Sequence, residues 1–156
     1  MNPDIAQVLD AVADSYNPLL ALLALLAPVL PGSREPLRVA RYFVAGGLGI
    51  AWVYLLRAAG ERFLLWPALG LEYSTHSAFA ASLVVSLSIL RRAWLLPLAV
   101  SLALYYLLAL GMRYHGPLDL MTAGALSALL TWAAHLVLRT RSRQLDAGPQ
   151  SGSVPS

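Results

Sequence analysis

The chain has no cysteine and no lysine, and only 12% of its residues are charged. Without cysteine there is no disulfide and no thiolate, either as nucleophile or as metal ligand; the compartment is left open. Without lysine, all eleven strongly basic residues are arginines. The low charge argues against a soluble domain, which carries roughly twice that fraction. The first residues hold Asp4, Asp10 and Asp14 and no base, the reverse of a secretory signal's opening. No basic cluster is dense enough to suggest a nucleic-acid partner.

What the chain has instead is apolar runs. Of its 156 residues, 58% are hydrophobic, and the runs approach the roughly 20 residues that one bilayer crossing needs. The expected fold is all-α: an integral membrane bundle of about five transmembrane helices forming one domain over 1–139. A short interfacial helix is expected at about 4–15, with Asp10 and Asp14 on one face. Spans follow at about 16–31, 37–56, 76–90, 93–112 and 117–138. The second carries Ala45-Gly46-Gly47-Leu48-Gly49, small residues that let helices approach closely in lipid. Residues 57–75 contain Pro67 and Gly70 and read as a loop with one short helical turn. Pro117 suits a first helical position. Residues 140–156 read as a disordered cytoplasmic tail.

Arginine placement orients the bundle. Arg34, Arg38, Arg41, Arg91, Arg92, Arg139, Arg141 and Arg143 fall on one side, and positive charge favours the cytoplasm. The N-terminus is then extracytoplasmic and the C-terminus cytoplasmic. Arg57, Arg62 and Arg113 break the bias. Each could snorkel to the opposite headgroups, yet all three lie in the two loops that carry His76 and His115.

Those histidines are the candidate chemistry. His76 follows Ser74 and Thr75, either of which can cap the third span. A helix start with free N–H groups and hydroxyls suits an anion. An imidazole there can protonate a leaving alkoxide, or can simply help to cap the helix. His115 precedes Asp119 by four residues. If that turn is helical, the carboxylate can hold one ring nitrogen and leave the other as a nucleophile; alternatively Asp119 caps the helix, favoured there by the dipole. Glu61 and Glu72 share the loop and suit pairing with Arg57 or Arg62; alternatively they tune the pKa of a histidine. His135 lies far along the last span and reads as structural.

Tyr73-Ser74-Thr75-His76 resembles the Pro-Ser-Gly-His motif of the type-2 phosphatidic acid phosphatase superfamily, membrane lipid phosphatases related to vanadium haloperoxidases. His115 and Asp119 match the end of that family's third motif, and Leu120-Met121-Thr122-Ala123-Gly124-Ala125 is similar to the small-residue helix that follows it. The resemblance covers roughly 57–130. It implies that His115 attacks phosphorus, Asp119 orients it and His76 protonates the leaving group, with Ser74 and the helix start holding phosphate. Leu108 and Ala109 stand where the third motif has Ser-Arg, so Arg113 is the nearby substitute. Arg57 and Arg62 occupy the first motif's loop without its spacing, and no lysine is present.

The expected function is therefore an inner-membrane, multi-pass phosphatase of a lipid phosphate or polyprenyl (di)phosphate, facing the periplasm or exterior. It would work through a phosphohistidine, with no metal or other cofactor. Its site would comprise His115, His76 and Asp119, with Arg113, Arg62, Arg57, Ser74 and Thr75 on the phosphate. Its partners would be the bilayer and its lipid substrate. Two rivals stand beside it: a non-catalytic lipid-phosphate binder or transporter, and a metal-dependent hydrolase using His76, His115, Asp119 and Glu72 as ligands.

Overall fold

Two prolines and a serine set where three of the helices begin. In the computed structural model, which describes residues 3–29 and 35–146 and the side chains through residue 140, Pro36 and Pro117 each take the first position of a helix, where a missing N–H costs nothing. Ser74 caps a third. The elements are α1 (Pro3–Leu26), α2 (Pro36–Phe63), the single turn α3 (Leu65–Ala68), α4 (Thr75–Leu90), α5 (Leu95–Gly111) and α6 (Pro117–Asp146). Short 3₁₀ turns at Ala27–Val29 and Arg92–Trp94 extend α1 and lead into α5.

Among the described residues, four segments are long and apolar enough to cross a membrane: Pro3–Val29, Pro36–Phe63, Arg92–Gly111 and Pro117–Thr140. The fifth apolar helix, α4, has 16 residues. At 1.5 Å per residue it is about 24 Å long, short of a bilayer core of about 30 Å. It packs against α1, α2, α5 and α6, so its neighbours supply the apolar surroundings. Ala78, Ala80, Leu83, Val84 and Leu87 of α4 are buried, as are Ser77, Ser82 and Ser86. This small-residue face lets α6 approach closely, as membrane helices do. Buried Ser127 and Thr131 lie on α6, and Gly49 of α2 leaves room for Thr131, whose Oγ1 a methyl there would approach to 2.5 Å. His135 Nε2 bonds Ser86 Oγ at 3.1 Å in the same seam, a structural placement.

Three boundaries differ from expectation. The interfacial helix at 4–15 and the span at 16–31 are one continuous helix, α1, with Pro18 inside it. Proline removes one backbone bond, a loss that packed neighbours make tolerable in membrane helices. Second, α2 does not stop near 56 but runs to Phe63. Arg57 and Glu61, four residues apart, pair at 2.9 Å on its exposed face, so polar residues taken for a loop are a solvated helical end. Leu64 then ends it in the left-handed region at φ 53°. Third, α6 extends through Asp146, so residues 140–146 of the expected disordered tail are helical; arginine, glutamine and leucine favour helix. Arg34 and residues 147–156 lie outside the described residues, as do the side chains of Arg141 and Arg143.

Candidate functional site

The start of α1, the end of α2, the start of α4, the end of α5 and the start of α6 share one end of the bundle, joined by long-range hydrogen bonds. Tyr114, between α5 and α6, donates its phenol to Asp10 of α1. The Glu72 backbone N–H, just before α4, donates to Asp119 Oδ1 of α6 at 2.8 Å. Tyr73 donates its phenol to the Val53 carbonyl of α2 at 3.0 Å and lies 3.3 Å from Ser127 Oγ of α6. Burial holds the Tyr73 phenol above its usual pKa range, against the lowering effect of the Ser127 bond, so at neutral pH it stays protonated and able to donate.

His76 sits in the first turn of α4. Ser74, almost wholly buried, caps that turn by accepting from the Ser77 N–H at 3.4 Å, and the Ser77 hydroxyl donates to the Ser74 carbonyl at 2.9 Å. Asn17 of α1 donates to the His76 carbonyl at 3.2 Å. Tyr106 of α5 donates to the Ser77 carbonyl at 3.1 Å. The start of α4 is thereby held from two sides, which orients His76 without using its ring.

Three clefts of about 350 Å³ meet at His76. The first lies between α2, the α3 turn and α4, and includes Arg57, Glu61, Glu72, Thr75, His76 and His115. The second lies between α1, α2 and α4; Asp14, Asn17 and His76 are at its polar part, with Pro18, Ala21 and Phe79 below. The third, towards α5, includes Asp10, Asp14, Ser74, His76, Tyr114 and His115. Both histidines thus line the first and the third clefts, although 39 positions separate them in the sequence.

The surroundings of His115 depart from the spacing argument. Asp119 is the third residue of α6, and its Oδ2 accepts the Gly116 N–H at 2.8 Å. That is the acidic half of a capping box. Its Oδ1 is taken by Glu72 N–H. Both carboxylate oxygens therefore bind backbone donors instead of the His115 ring. His115 Nδ1 is buried with no hydrogen-bond partner among the described residues, and Glu72 Oε2 lies 3.7 Å from it.

The arginines are unequally placed. Arg57 lines the first cleft while paired to Glu61. The Arg62 guanidinium lies over the Phe63 ring, 5.9 Å from its centroid, and lines none of the three clefts. Arg113 lines none of them either. It ends α5 at φ 58°, with its N–H bonded to the Leu110 carbonyl and that of Tyr114 bonded to Ala109. This is a Schellman ending with arginine in the position glycine usually takes.

Sequence reasoning missed two features here. Trp66 lines the first cleft, stacks on Tyr73 with ring centroids 5.1 Å apart, and packs where any side chain at Gly60 would meet its indole. Gly60 ten residues into an otherwise side-chain-bearing stretch of α2 was the available signal. Asp10 and Asp14 face the histidines from α1, which their shared helix face permits but does not specify.

Among the described residues no three His, Asp or Glu side chains gather as a metal-binding group. No family model, curated protein or solved structure matches the chain.

Proposed function

We propose that this is a five-span membrane phosphatase of a lipid phosphate or polyprenyl (di)phosphate, related to the type-2 phosphatidic acid phosphatases and working at the extracytoplasmic face. The observation that carries the proposal is that His76 and His115 line the same two clefts at the mouth of the bundle. Two imidazoles at headgroup depth offer a nucleophile and an acid beside apolar spans, and ionisable groups at such depth are costly without a role.

The phosphate lies in the first cleft, where Arg57 and Thr75 line the wall and the start of α4 supplies positive potential. The third cleft carries Asp10 and Asp14, which repel an anion. His115 attacks phosphorus, a P–N bond forms and the bond to the lipid oxygen breaks. His76 gives that oxygen its proton, releasing an alcohol, or a lipid monophosphate from a diphosphate. Water then attacks the phosphohistidine and yields its proton to His76, and inorganic phosphate leaves. Four helices meet the length of a crossing, and α4 serves as the fifth span within their ring, with the N-terminus outside.

Purified protein in lipid nanodiscs is expected to release phosphate from phosphatidate or a polyprenyl phosphate with chelator present, to be inhibited by vanadate, and to lose this activity in His115→Ala. Full activity in His115→Ala would overturn the nucleophile assignment.

The rival reading, binding without turnover, draws on the arginines. Arg57 alone of the three lines a cleft, and it is already paired; losing one charged donor to a transition state costs a hundred-fold or more in rate. Saturable binding of the lipid with no phosphate released over hours would favour it.

A further inference from the structure

We propose that Glu72 is the positioning residue for His115, accepting a hydrogen bond from its Nδ1–H and leaving Nε2 free towards the cleft. The proposal rests on the phosphatase reading for its catalytic consequence, though the contact itself does not.

Three observations converge on Glu72. The ring needs a partner at Nδ1: that nitrogen is buried with no hydrogen-bond partner among the described residues, such a group costs about 1–3 kcal/mol until satisfied, and a nearby carboxylate can satisfy it only by accepting from an Nδ1–H. The acid expected to supply it, Asp119, has both oxygens engaged by the N–H groups of Glu72 and Gly116 at 2.8 Å. Glu72 Oε2 stands 3.7 Å from Nδ1, less than an ångström beyond a hydrogen bond, on a side chain that is 80% exposed and free to rotate inward.

Asp119 still matters, one step removed. By binding the Glu72 N–H it fixes the backbone that carries the second carboxylate. The order is α6 to Asp119, Asp119 to the Glu72 main chain, and the Glu72 side chain to the ring. This joins the loop before α4 to the first turn of α6, so the segments bearing His76 and His115 are set relative to one another. A carboxylate on one imidazole nitrogen selects the tautomer in which the other nitrogen has its lone pair exposed. In this arrangement that nitrogen is Nε2.

The test reads the tautomer directly. The chain has three histidines, so ¹⁵N-histidine spectra of the full protein in nanodiscs at pH 8.5 are simple, and His115→Ala assigns the signal. Wild type is expected to show His115 with the proton on Nδ1. Glu72→Ala is expected to move it mainly to Nε2, and Glu72→Asp to restore Nδ1 in part. Asp119→Asn is expected to leave the proton on Nδ1. A wild-type proton on Nε2, or an unchanged tautomer in Glu72→Ala, would overturn the proposal. So would a tautomer change in Asp119→Asn without one in Glu72→Ala.

In lipid-phosphate turnover, Glu72→Ala is expected to lower kcat ten- to a hundred-fold with KM within about twofold, and a kcat unchanged in a variant whose tautomer has moved would overturn the positioning role. Wild-type protein that hydrolyses no lipid phosphate defeats the phosphatase reading, while the spectra still decide the Glu72 contact. Because Glu72 is exposed, its variants keep the fold.

Discussion

Asp119 Oδ1 accepts the backbone N–H of Glu72 at 2.8 Å, tying the first turn of α6 to the segment before α4, 47 residues away in the chain. With its second oxygen on Gly116, Asp119 is both the cap of α6 and the clamp on the segment before α4. Asp119→Ala leaves both N–H groups to water, and bonds to a charged acceptor are worth about 1.5–3 kcal/mol each when well shielded. The Glu72 bond is exposed, so the expected net loss is about 1–3 kcal/mol. Asp119→Asn, which keeps one acceptor oxygen, is expected to lose less. Denaturation in mixed micelles checks the stability, and hydrogen exchange checks the clamp: the Glu72 and Gly116 amides should exchange faster in Asp119→Ala than those in the middle of α4.

Arg113 occupies a left-handed position at φ 58°, which costs a side-chain-bearing residue about 1–2 kcal/mol. Glycine has no such cost. Arg113→Gly is therefore expected to stabilise the protein by about 1 kcal/mol. Since Arg113 lines none of the three clefts, the same variant is expected to keep the KM for lipid phosphate. A several-fold rise in KM would restore Arg113 as a phosphate ligand. The two readouts are a micelle denaturation curve and a turnover assay on one preparation.

Legibility in the sequence followed the range of the interaction. Helix class and the apolar runs were readable because hydropathy is local: every residue of α5 reports its own environment. Pro117 and Ser74 were readable as helix starts because caps span only three or four positions. The end of α2 was not, because Arg57 and Glu61 look like loop residues until their i, i+4 pairing on an exposed helix is seen. The continuity of α1 was hidden by Pro18, which breaks helices in water more readily than in a packed bundle. Topology placed His76 and His115 at one end of the bundle; that both line the same two clefts is what the structure adds. The choice between Asp119 and Glu72 at His115 was out of reach: the spacing to Asp119 was right for a contact, and only the long-range bond to Glu72 N–H shows that carboxylate engaged elsewhere.

His76 as general acid makes a prediction that depends on the leaving group. A lipid alkoxide is a poor leaving group and needs the proton, an aid worth about 10²–10⁴-fold. An aryl phosphate with a stable phenolate does not. His76→Gln is expected to lose 10²–10⁴-fold on a lipid phosphate but less than ten-fold on an activated aryl phosphate. Equal losses on the two substrates would assign His76 to phosphate binding or to structure. Thermal unfolding of the variant serves as the control, since the turn around His76 is held by the Asn17 side-chain amide on the His76 carbonyl and by the Ser74 cap, neither of which uses the imidazole.

The absence of cysteine makes the topology directly measurable. Leu69 lies at the histidine end of the bundle, 69% exposed, and Glu35 precedes α2 at the opposite end. Leu69→Cys and Glu35→Cys each create the chain's sole thiol. If the arginines at the Glu35 end lie in the cytoplasm, a membrane-impermeant maleimide added to intact cells should label Leu69→Cys. It should label Glu35→Cys only after permeabilisation. Both positions are exposed and lie outside the four spans, so neither needs the bundle to open for reaction. The reverse pattern would place the histidines in the cytoplasm and turn the proposed enzyme towards a cytoplasmic phosphate. Labelling of both in intact cells would put the two ends on one side, and α2, at 28 residues, would then lie along the membrane instead of across it.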